Sequence, residues 1–211
     1  MSRRLRRSLA ALAALTFVAG GCGYDETPVP EPEETAYTPA PKSECTTDEA
    51  TLASEPPDGT VLPGSTVARI REEGLLRVGV SADTYLMAAR NPATNRIVGF
   101  DIDVVKAIGE QIFGDDFNLN TQVHLRVITA ADRIPLLGGE GADQELDLVV
   151  RNFTINSCRE EEIAFSDVYY EASQKVLVRA DDAEEYRGPE DLAGKRVCAP
   201  NGTTCLSNIE Q

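Results

Sequence analysis

Between residues 99 and 174, stretches with helical periodicity alternate with stretches typical of buried strands, and this alternation constrains the fold more than any other feature. One helix is marked by apolar residues that recur at helical spacing, namely Val104, Val105, Ile108 and Ile112. Residues 146–150 then form a continuous apolar run, which is typical of a parallel strand covered on both faces. Strands that alternate with helices in this order predict an α/β domain with a mostly parallel sheet.

The flanking segments fit the same pattern. We predict one helix over residues 65–74, a second that runs from Asp101 to a stop at Gly114, and a third that is capped by Thr129. Either Asp101 or Asp103 is expected to cap the second helix. The remaining segments are a predicted loop over residues 83–97 and predicted strands over residues 75–80, 123–128, 175–179 and, as a beginning only, 194–200.

Residues 1–22 have the composition of an export signal. Four arginines precede an apolar run over residues 9–18, which is too short to span a bilayer as a mature helix but suits a signal peptide. Small residues at positions 19–21 then lead to Cys22, and this ending resembles a bacterial lipobox, in which the cysteine is lipidated. The alternative is an ordinary cleaved signal with an incidental cysteine. Whether export uses the twin-arginine route stays open.

Residues 23–66 differ in composition from everything that follows. They are rich in Pro, Glu, Thr and Ser and hold few large apolar side chains. Such a segment cannot bury enough apolar surface to offset the entropy lost on ordering. We therefore predict a disordered tether that holds a folded domain away from a membrane.

Charge and cysteine usage exclude several functions. The formal net charge of −15 argues against nucleic acid, because an acidic chain does not release counterions from a phosphate backbone. The single histidine, His124, lies in a strand-like run and there is no Cys-x-x-Cys motif, so we expect no metal, no cofactor and no cysteine–histidine catalytic pair. If Cys22 is lipidated, export permits three complete disulfide pairings of the other cysteines, Cys45, Cys158, Cys198 and Cys205.

Candidate ligand-binding residues follow the predicted strands, because ligands of open α/β sheets bind beyond the carboxyl ends of strands. After residue 150, the Thr154 hydroxyl and the planar guanidinium of Arg159 can bind a carboxylate, and a helix starting near Ser157 would add its positive end. Taken alone, the composition favours a surface Arg159 that pairs with the glutamates at 160–162. Polar residues at two other strand ends are Ser81, Asp83 and Tyr85, and Gly202, Thr203 and Thr204.

The order of several motifs reverses that preference. Between residues 75 and 209 the sequence contains, in this order, GFDIDVVKAI, ADRIPLL, DLVV, TIN-x-x-R, IAFSDVYYEASQKVLV, DLAGKRV and NGTTCLSNI. Together these motifs resemble the polar amino-acid family of periplasmic substrate-binding proteins, the two-lobed type II receptors of ABC importers. They are most similar to the glutamine/glutamate-binding lipoproteins of actinobacteria.

The resemblance implies a domain organisation. It divides the chain into a lipoprotein signal over residues 1–22, a tether over 23–66, a complete or nearly complete first α/β lobe over 67–180, and the start of a second lobe over 181–211. The expected fold is therefore α/β and similar to type II periplasmic binding proteins. Members of the family continue beyond the NGTT element, so the chain is expected to be either a fragment or a short form with an incomplete cleft.

The resemblance also implies roles for individual residues. In the family, the first threonine and the arginine of the TIT-x-x-R motif hold the α-carboxylate of the ligand. These positions correspond to Thr154 and Arg159, whereas the third motif position, usually threonine, is Asn156 here. Gly202 and Thr203 stand where the family adds further donors to the same carboxylate.

Aromatic and acidic residues near the cleft are weaker candidates. Asp83 and Tyr85 follow the first strand, where the family often packs the ligand. Tyr169 and Tyr170 are expected to lie on the first lobe near the crossover and to serve in packing.

The implied function is a monomeric, lipid-anchored binding protein on the extracytoplasmic face of the cell membrane. It would bind a polar amino acid of the glutamate, glutamine and aspartate class and deliver it to an ABC permease without any chemistry. One alternative is a ligand-sensing lipoprotein that signals to a membrane receptor. Another is an enzyme that resembles cyclohexadienyl dehydratase, although the glutamates at 160–162 have no paired base.

Overall fold

The computed structural model describes residues 45–47 and 60–210, apart from the side chain of Glu140. The predicted signal peptide, Cys22 and most of the predicted tether therefore lie outside the described residues. Within the described part, none of the helices combines the length and the apolar character needed to cross a membrane.

The described residues form helices and strands in the alternating order that the sequence predicts. In chain order these elements are α1 (Thr66–Glu73), β1 (Leu76–Val80), β2 (Asp83–Thr84), β3 (Ala88–Arg90), β4 (Ile97–Val98), α2 (Phe100–Phe113), α3 (Leu119–Gln122), β5 (Val123–Val127), α4 (Arg133–Leu136), β6 (Leu148–Val150), α5 (Ser157–Glu160) and α6 (Thr204–Ile209). Short 3₁₀ turns occupy Gly139–Gly141, Ala180–Asp182 and Pro189–Leu192.

β1 is the central strand of a parallel sheet in the order β5-β1-β6. Its first residue, Leu76, pairs with Val123 of β5, and Val78 pairs with Leu148 of β6. The carboxyl ends of these parallel strands lie at one edge, and the chain passes from β5 on one side of β1 to β6 on the other. Ligands of open α/β sheets bind at such a switch point. The predicted α/β fold with a parallel sheet is confirmed in this part of the chain.

The apolar core lies where β1 meets α1 and α2. Val78 and Val80 of β1 and Val105 of α2 have no exposed surface, and Ile70 of α1 and Ile102 of α2 are nearly as buried. Full burial of one such side chain contributes on the order of 1.5–3 kcal/mol. The predicted apolar stripe of α2 is confirmed, because its remaining members pack around this core.

The predicted helix boundaries are confirmed where a neighbouring hydroxyl caps the helix or a glycine ends it. The Ser65 hydroxyl accepts the Ala68 N–H at 3.2 Å, and Gly74 ends α1 with a φ of 65°, as predicted for 65–74. Gly114 ends α2, also as predicted. Gly99 occupies the cap position of α2 with a φ of 132°, and a Cβ there would lie 2.4 Å from the Met87 carbonyl oxygen. Only glycine fits this approach.

Two capping predictions are wrong. Asp101 and Asp103 lie inside the first turn of α2 rather than at its cap, because the chain enters the helix from Gly99. Thr129 does not cap α4, since Asp132 occupies the cap position. The Thr129 N–H and hydroxyl instead donate to the Asp132 carboxylate, at 2.7 and 2.6 Å.

Residues 83–98 contain more structure than the predicted loop. β2, β3 and β4 form a small antiparallel sheet in which Asp83 pairs with Ala89 and Arg90 pairs with Ile97. The strands are only two or three residues long. Such short strands carry too few alternating apolar residues to be visible in the sequence.

Residues 161–203 contain fewer regular elements than predicted. Strands were expected over 175–179 and from 194, but neither segment forms one. Leu177 is 99% exposed, and none of the described strands pairs with either segment. A strand needs a neighbour for its backbone hydrogen bonds, so strand propensity alone is insufficient here. Residues Thr204–Ile209 form α6, so the chain returns to regular structure after this segment.

Candidate carboxylate-binding site

The loop after β6 leads into α5 through an asparagine cap. The Asn156 side-chain oxygen accepts the Arg159 N–H at 3.1 Å, and α5 begins at Ser157 as predicted. Asn156 is buried, with 8% of its surface exposed. Its side chain therefore stabilises the start of the helix rather than facing an open cleft.

The Arg159 guanidinium turns back over the loop that precedes it. Nη1 donates to the Thr154 carbonyl at 2.6 Å, Nη2 donates to the Gly202 carbonyl at 3.2 Å, and the guanidinium carbon lies 4.5 Å from the centre of the Phe153 ring. Burial lowers the pKa of Arg159. The alternative surface pairing is not seen, since Arg159 forms no ion pair with the glutamates at 160–162.

A second arginine, Arg133 at the start of α4, meets Arg159 at the same place. Its side chain is buried, with only 2% exposed. It donates to the carbonyls of Ala130 at 2.7 Å, Gly202 at 2.8 Å and Asn152. Burial lowers the pKa of Arg133 to about 10, and the nearby positive charge of Arg159 contributes. Arg133 thus remains cationic at neutral pH.

These two cations have no described anionic partner. Among the carboxylates whose side chains the structure describes, none forms an ion pair with Arg133 or Arg159, although the chain carries a net charge of −15. Both guanidiniums also lie against the Phe153 ring, and Arg133 is 3.9 Å from its centre. Desolvated cations whose described side-chain hydrogen bonds all go to carbonyl oxygens favour an added anion, because hydrogen bonds to a charged acceptor are about twice as strong as neutral ones.

The turn around Gly202 brings Thr204, but not the Thr203 hydroxyl, to this site. Gly202 has a φ of 73°, and a Cβ would lie 3.0 Å from the Ala131 Cα, so the backbone approaches closely. The Thr204 hydroxyl lies 3.1 Å from the Thr154 hydroxyl. Thr203 points elsewhere: its hydroxyl donates to the Pro200 carbonyl at 2.7 Å and accepts the Leu206 N–H at 3.2 Å, which caps α6.

Asp83 and Tyr85 follow the end of β1, and Asp83 begins β2. The Ser81 hydroxyl donates to the Asp83 carboxylate at 2.6 Å, and this bond holds the pKa of Asp83 below its usual range. The charge of Arg151 lowers the pKa of Asp83 further. Tyr85 is 82% exposed. No hydrogen bond within the described part links either residue to Arg159.

Sequence reasoning missed Arg133 and Phe153. Arg133 belongs to the ADRIPLL motif and follows β5, which is a ligand-facing position in an open sheet. The direction of its side chain depends on carbonyls from three separate segments, so no local pattern reveals it. Phe153 lies between Asn152 and Thr154 and resembles an ordinary packing residue in the sequence.

The described cysteines form one disulfide, and the described acidic residues form no metal-binding cluster. The structure joins Cys45 to Cys158 by a disulfide and leaves Cys198 and Cys205 as free thiols. Over the residues that the structure describes, no group of three or more His, Cys, Asp or Glu side chains could hold a metal ion. His124 lies on a strand, as predicted, and its side chain on β5 is exposed.

Known proteins that are similar in sequence to this chain are bacterial solute-binding proteins. Residues 76–205 match the model of the bacterial extracellular solute-binding proteins, family 3. The chain is 35% identical over 147 residues to the ABC transporter glutamine-binding protein GlnH of Bacillus subtilis, a match that covers 69% of this chain and 50% of that protein. It is 30% identical over 140 residues to the glutamate-binding protein GluB of Corynebacterium glutamicum, covering 66% of this chain and 45% of that protein.

A solved structure resembles this chain in fold. A mutant of ArgBP from T. maritima matches with a TM-score of 0.59 and 30% sequence identity, over 69% of this chain and 58% of that one. The chain thus spans about half the length of the curated relatives named above.

Proposed function

Because the chain belongs to the bacterial extracellular solute-binding proteins of family 3, we propose that it binds a polar amino acid outside the cytoplasm and delivers it to an ABC importer. The proposal extends to the glutamine, glutamate and aspartate class of ligands. It also includes attachment to the membrane through a lipid on Cys22, which the lipobox-like sequence supports. The proposed role is binding, with no chemical step.

The observation that carries the proposal is a pair of guanidiniums, the buried Arg133 and the half-buried Arg159, that meet no anionic partner among the described side chains. Every amino acid ligand has an α-carboxylate, and a guanidinium can bind it through parallel N–H donors. Arg159 uses two of its donors in the described contacts, and a guanidinium has five. Donors therefore remain for a carboxylate.

The local contacts suggest how binding proceeds. The Gly202 carbonyl accepts from both Arg133 and Arg159. A ligand carboxylate is a stronger acceptor for the Arg159 donor than this neutral carbonyl, and the shorter bond from Arg133 holds Gly202 in place. We infer that the ligand displaces Gly202 from Arg159 while Arg133 continues to anchor the turn. The hydroxyls of Thr154 and Thr204, which contact each other, supply further donors.

Opposite charges lie beyond the carboxyl ends of β1 and β6, at the edge where open α/β sheets bind ligands. Asp83 keeps its negative charge at neutral pH because its pKa is lowered, and Arg151 lies close enough to contribute to that shift. A carboxylate beside a cation suits a zwitterionic or amide ligand better than a purely apolar one. This favours polar amino acids as a class.

The proposal is tested by isothermal calorimetry on the purified chain with glutamine, glutamate, aspartate and asparagine. We expect at least one of them to bind, and its α-carboxamide analogue, which lacks the α-carboxylate, not to bind. Equal binding of the acid and its α-amide would refute the carboxylate site, and no binding of any of the four would refute the ligand class. Incubation with a prephenate-like substrate serves as the enzyme control, with no turnover expected.

The delivery step requires a separate test. Co-purification of the lipid-anchored chain with an ABC permease from solubilised membranes is the expected result. Capture of a membrane receptor kinase instead would favour the sensing alternative.

A further inference from the structure

Residues 45–47, here called the N-terminal clasp, lie directly on the loop that carries the proposed ligand residues. Cys45 is bonded to Cys158 across a sequence separation of 113. The Ser157 N–H donates to the Thr46 carbonyl at 3.0 Å, and the Thr46 N–H donates to the Ser157 hydroxyl oxygen at 3.0 Å. The Thr47 hydroxyl donates to the Ile155 carbonyl at 3.1 Å.

The N-terminal clasp contacts the segment that lies between Thr154 and Arg159 in the chain. The contacts of the clasp fall on residues 155, 157 and 158, which lie between those two positions. Arg159 in turn donates to the Thr154 carbonyl at 2.6 Å. A shift of residues 155–158 would therefore change the distance and angle between the two proposed ligand groups.

The short helix at this place needs support from outside. α5 has four residues, and an isolated helix of that length is not stable because nucleation is unfavourable. Asn156 satisfies the Arg159 N–H, and Thr46 satisfies the Ser157 N–H, so the clasp completes the first turn of the helix. The described hydrogen bonds of the clasp lie at exposed groups, where water competes for them. The covalent bond is what keeps them together.

From these contacts we propose that the Cys45–Cys158 disulfide and Thr46 are positioning elements of the ligand site. They hold the Thr154–Arg159 loop in its binding geometry, and ligand affinity depends on the disulfide. This inference rests on the proposed function, since it assigns an effect to ligand binding. It also means that the chain is attached to its own binding loop at Cys45, so a lipid on Cys22 would be linked to the site through residues 23–44 alone.

Calorimetry gives the first test. The full chain is titrated with glutamine and with glutamate in its oxidised form, after reduction with a phosphine, and as the double variant Cys45→Ser with Cys158→Ser. All titrations are made at a temperature where each protein is folded by near-UV circular dichroism, so that a loss of stability does not enter the affinity. We expect Kd to rise roughly tenfold when the disulfide is absent, because the loop must then be ordered on binding.

Two variants sharpen this test. Cys198→Ser alters a free, exposed thiol and should leave both the affinity and the response to reductant unchanged. Thr47→Val keeps the disulfide but removes the bond to Ile155, and it should weaken binding less than loss of the disulfide does. An unchanged Kd in the double variant overturns the proposal.

Hydrogen exchange tests the clasp without a ligand. In the oxidised chain the Ser157 and Arg159 amides are expected to exchange at least tenfold more slowly than in the double variant. Equal exchange rates overturn the proposal, whatever the calorimetry shows. If neither form binds any amino acid, the proposed function fails, while the exchange result still decides whether the clasp orders the loop.

Discussion

Residues 76–160 contain a core of buried apolar side chains around a parallel sheet, whereas residues 161–209 leave most of theirs in water. In the first region Leu76, Val78 and Val80 are almost fully buried. In the second region, Val176 and Leu177 are 51% and 99% exposed. Both segments are short apolar runs of a kind that predicts a strand. The difference shows that such a run forms a strand only where neighbouring strands pair with it.

The second region contacts the first through aromatic rings, as where Tyr169 lies against Phe100, and through hydrogen bonds. The Tyr169 hydroxyl donates to the Asp101 carboxylate at 3.3 Å, and the Gly202 carbonyl accepts from Arg133 and Arg159. Within the second region itself, the Asn208 amide donates to Gln174 at 2.8 Å. The proposed site therefore lies where the two regions meet, a contact here called the seam. The first region supplies Arg133 and Arg159, and the second supplies the turn at Gly202.

The largest expected difference between the regions is in apolar burial. Leu76→Ala removes a side chain that is 1% exposed and should cost about 2–5 kcal/mol of unfolding free energy, since it leaves a cavity. The matched change Leu177→Ala should stay within about 0.5 kcal/mol, because that side chain is already in water. Urea denaturation measures both. A comparable loss in the two variants would show that Leu177 is buried in solution.

A second difference concerns the buried contact that joins the regions. Burial raises the pKa of the Asp101 carboxyl, whose Oδ2 lacks a hydrogen-bond partner among the described residues, and the Tyr169 hydroxyl opposes this shift. A carboxyl with a raised pKa in the folded state stabilises the fold below its unfolded pKa, near 3.8. That stabilisation is lost as pH rises through the folded pKa.

Asp101→Asn should therefore raise the thermal midpoint at pH 7, and the gain over the native chain should disappear towards pH 4. Asn keeps an oxygen that can accept from Tyr169 but carries no charge. Asp103→Asn, on the exposed side of the same helical turn, is the control and should show no such pH dependence. A gain that is the same at pH 4 and pH 7 would rule out ionisation of Asp101 as its cause.

The smallest expected effects come from helix caps of the same chemistry in the two regions. Ser65 caps α1, which packs on the core through Ile70, and Thr203 caps α6. Ser65→Ala should lower global stability by about 1 kcal/mol. Thr203→Ala should increase hydrogen exchange only within residues 204–209 and leave the global unfolding transition in place. Equal global losses would mean that α6 unfolds together with the core.

The sequence predicted the elements whose cause is local. The apolar periodicity of α2, the continuous run of β6 and the glycines that end α1 and α2 all act within a few residues, and these elements formed where expected. The turn into α5 was also predicted from its position after a strand. The capping errors at Asp101 and Thr129 arose because several residues near each helix start could serve as the cap.

The features that could not be predicted depend on distant partners. Arg133 donates to carbonyls that are 19 and 69 residues away. The absence of a strand at 175–179 likewise depends on which segments are available to pair with it. Among the candidate site residues, Arg159, Thr154 and Gly202 come together in the structure, whereas the Thr203 hydroxyl turns to its own helix. A motif identifies residue types, but it does not identify the acceptor that each donor meets.

The central claim is that Arg159 binds the α-carboxylate of an amino acid at the seam. It is tested most directly by titrating the native chain, Arg159→Ala and the exposed-arginine control Arg179→Ala with the amino acid that binds best. We predict that Arg159→Ala loses about 1.5–3 kcal/mol of binding free energy, which is the contribution of hydrogen bonds to a charged group, while Arg179→Ala binds as the native chain does. An Arg159→Ala protein that is folded and binds with native affinity would contradict the account.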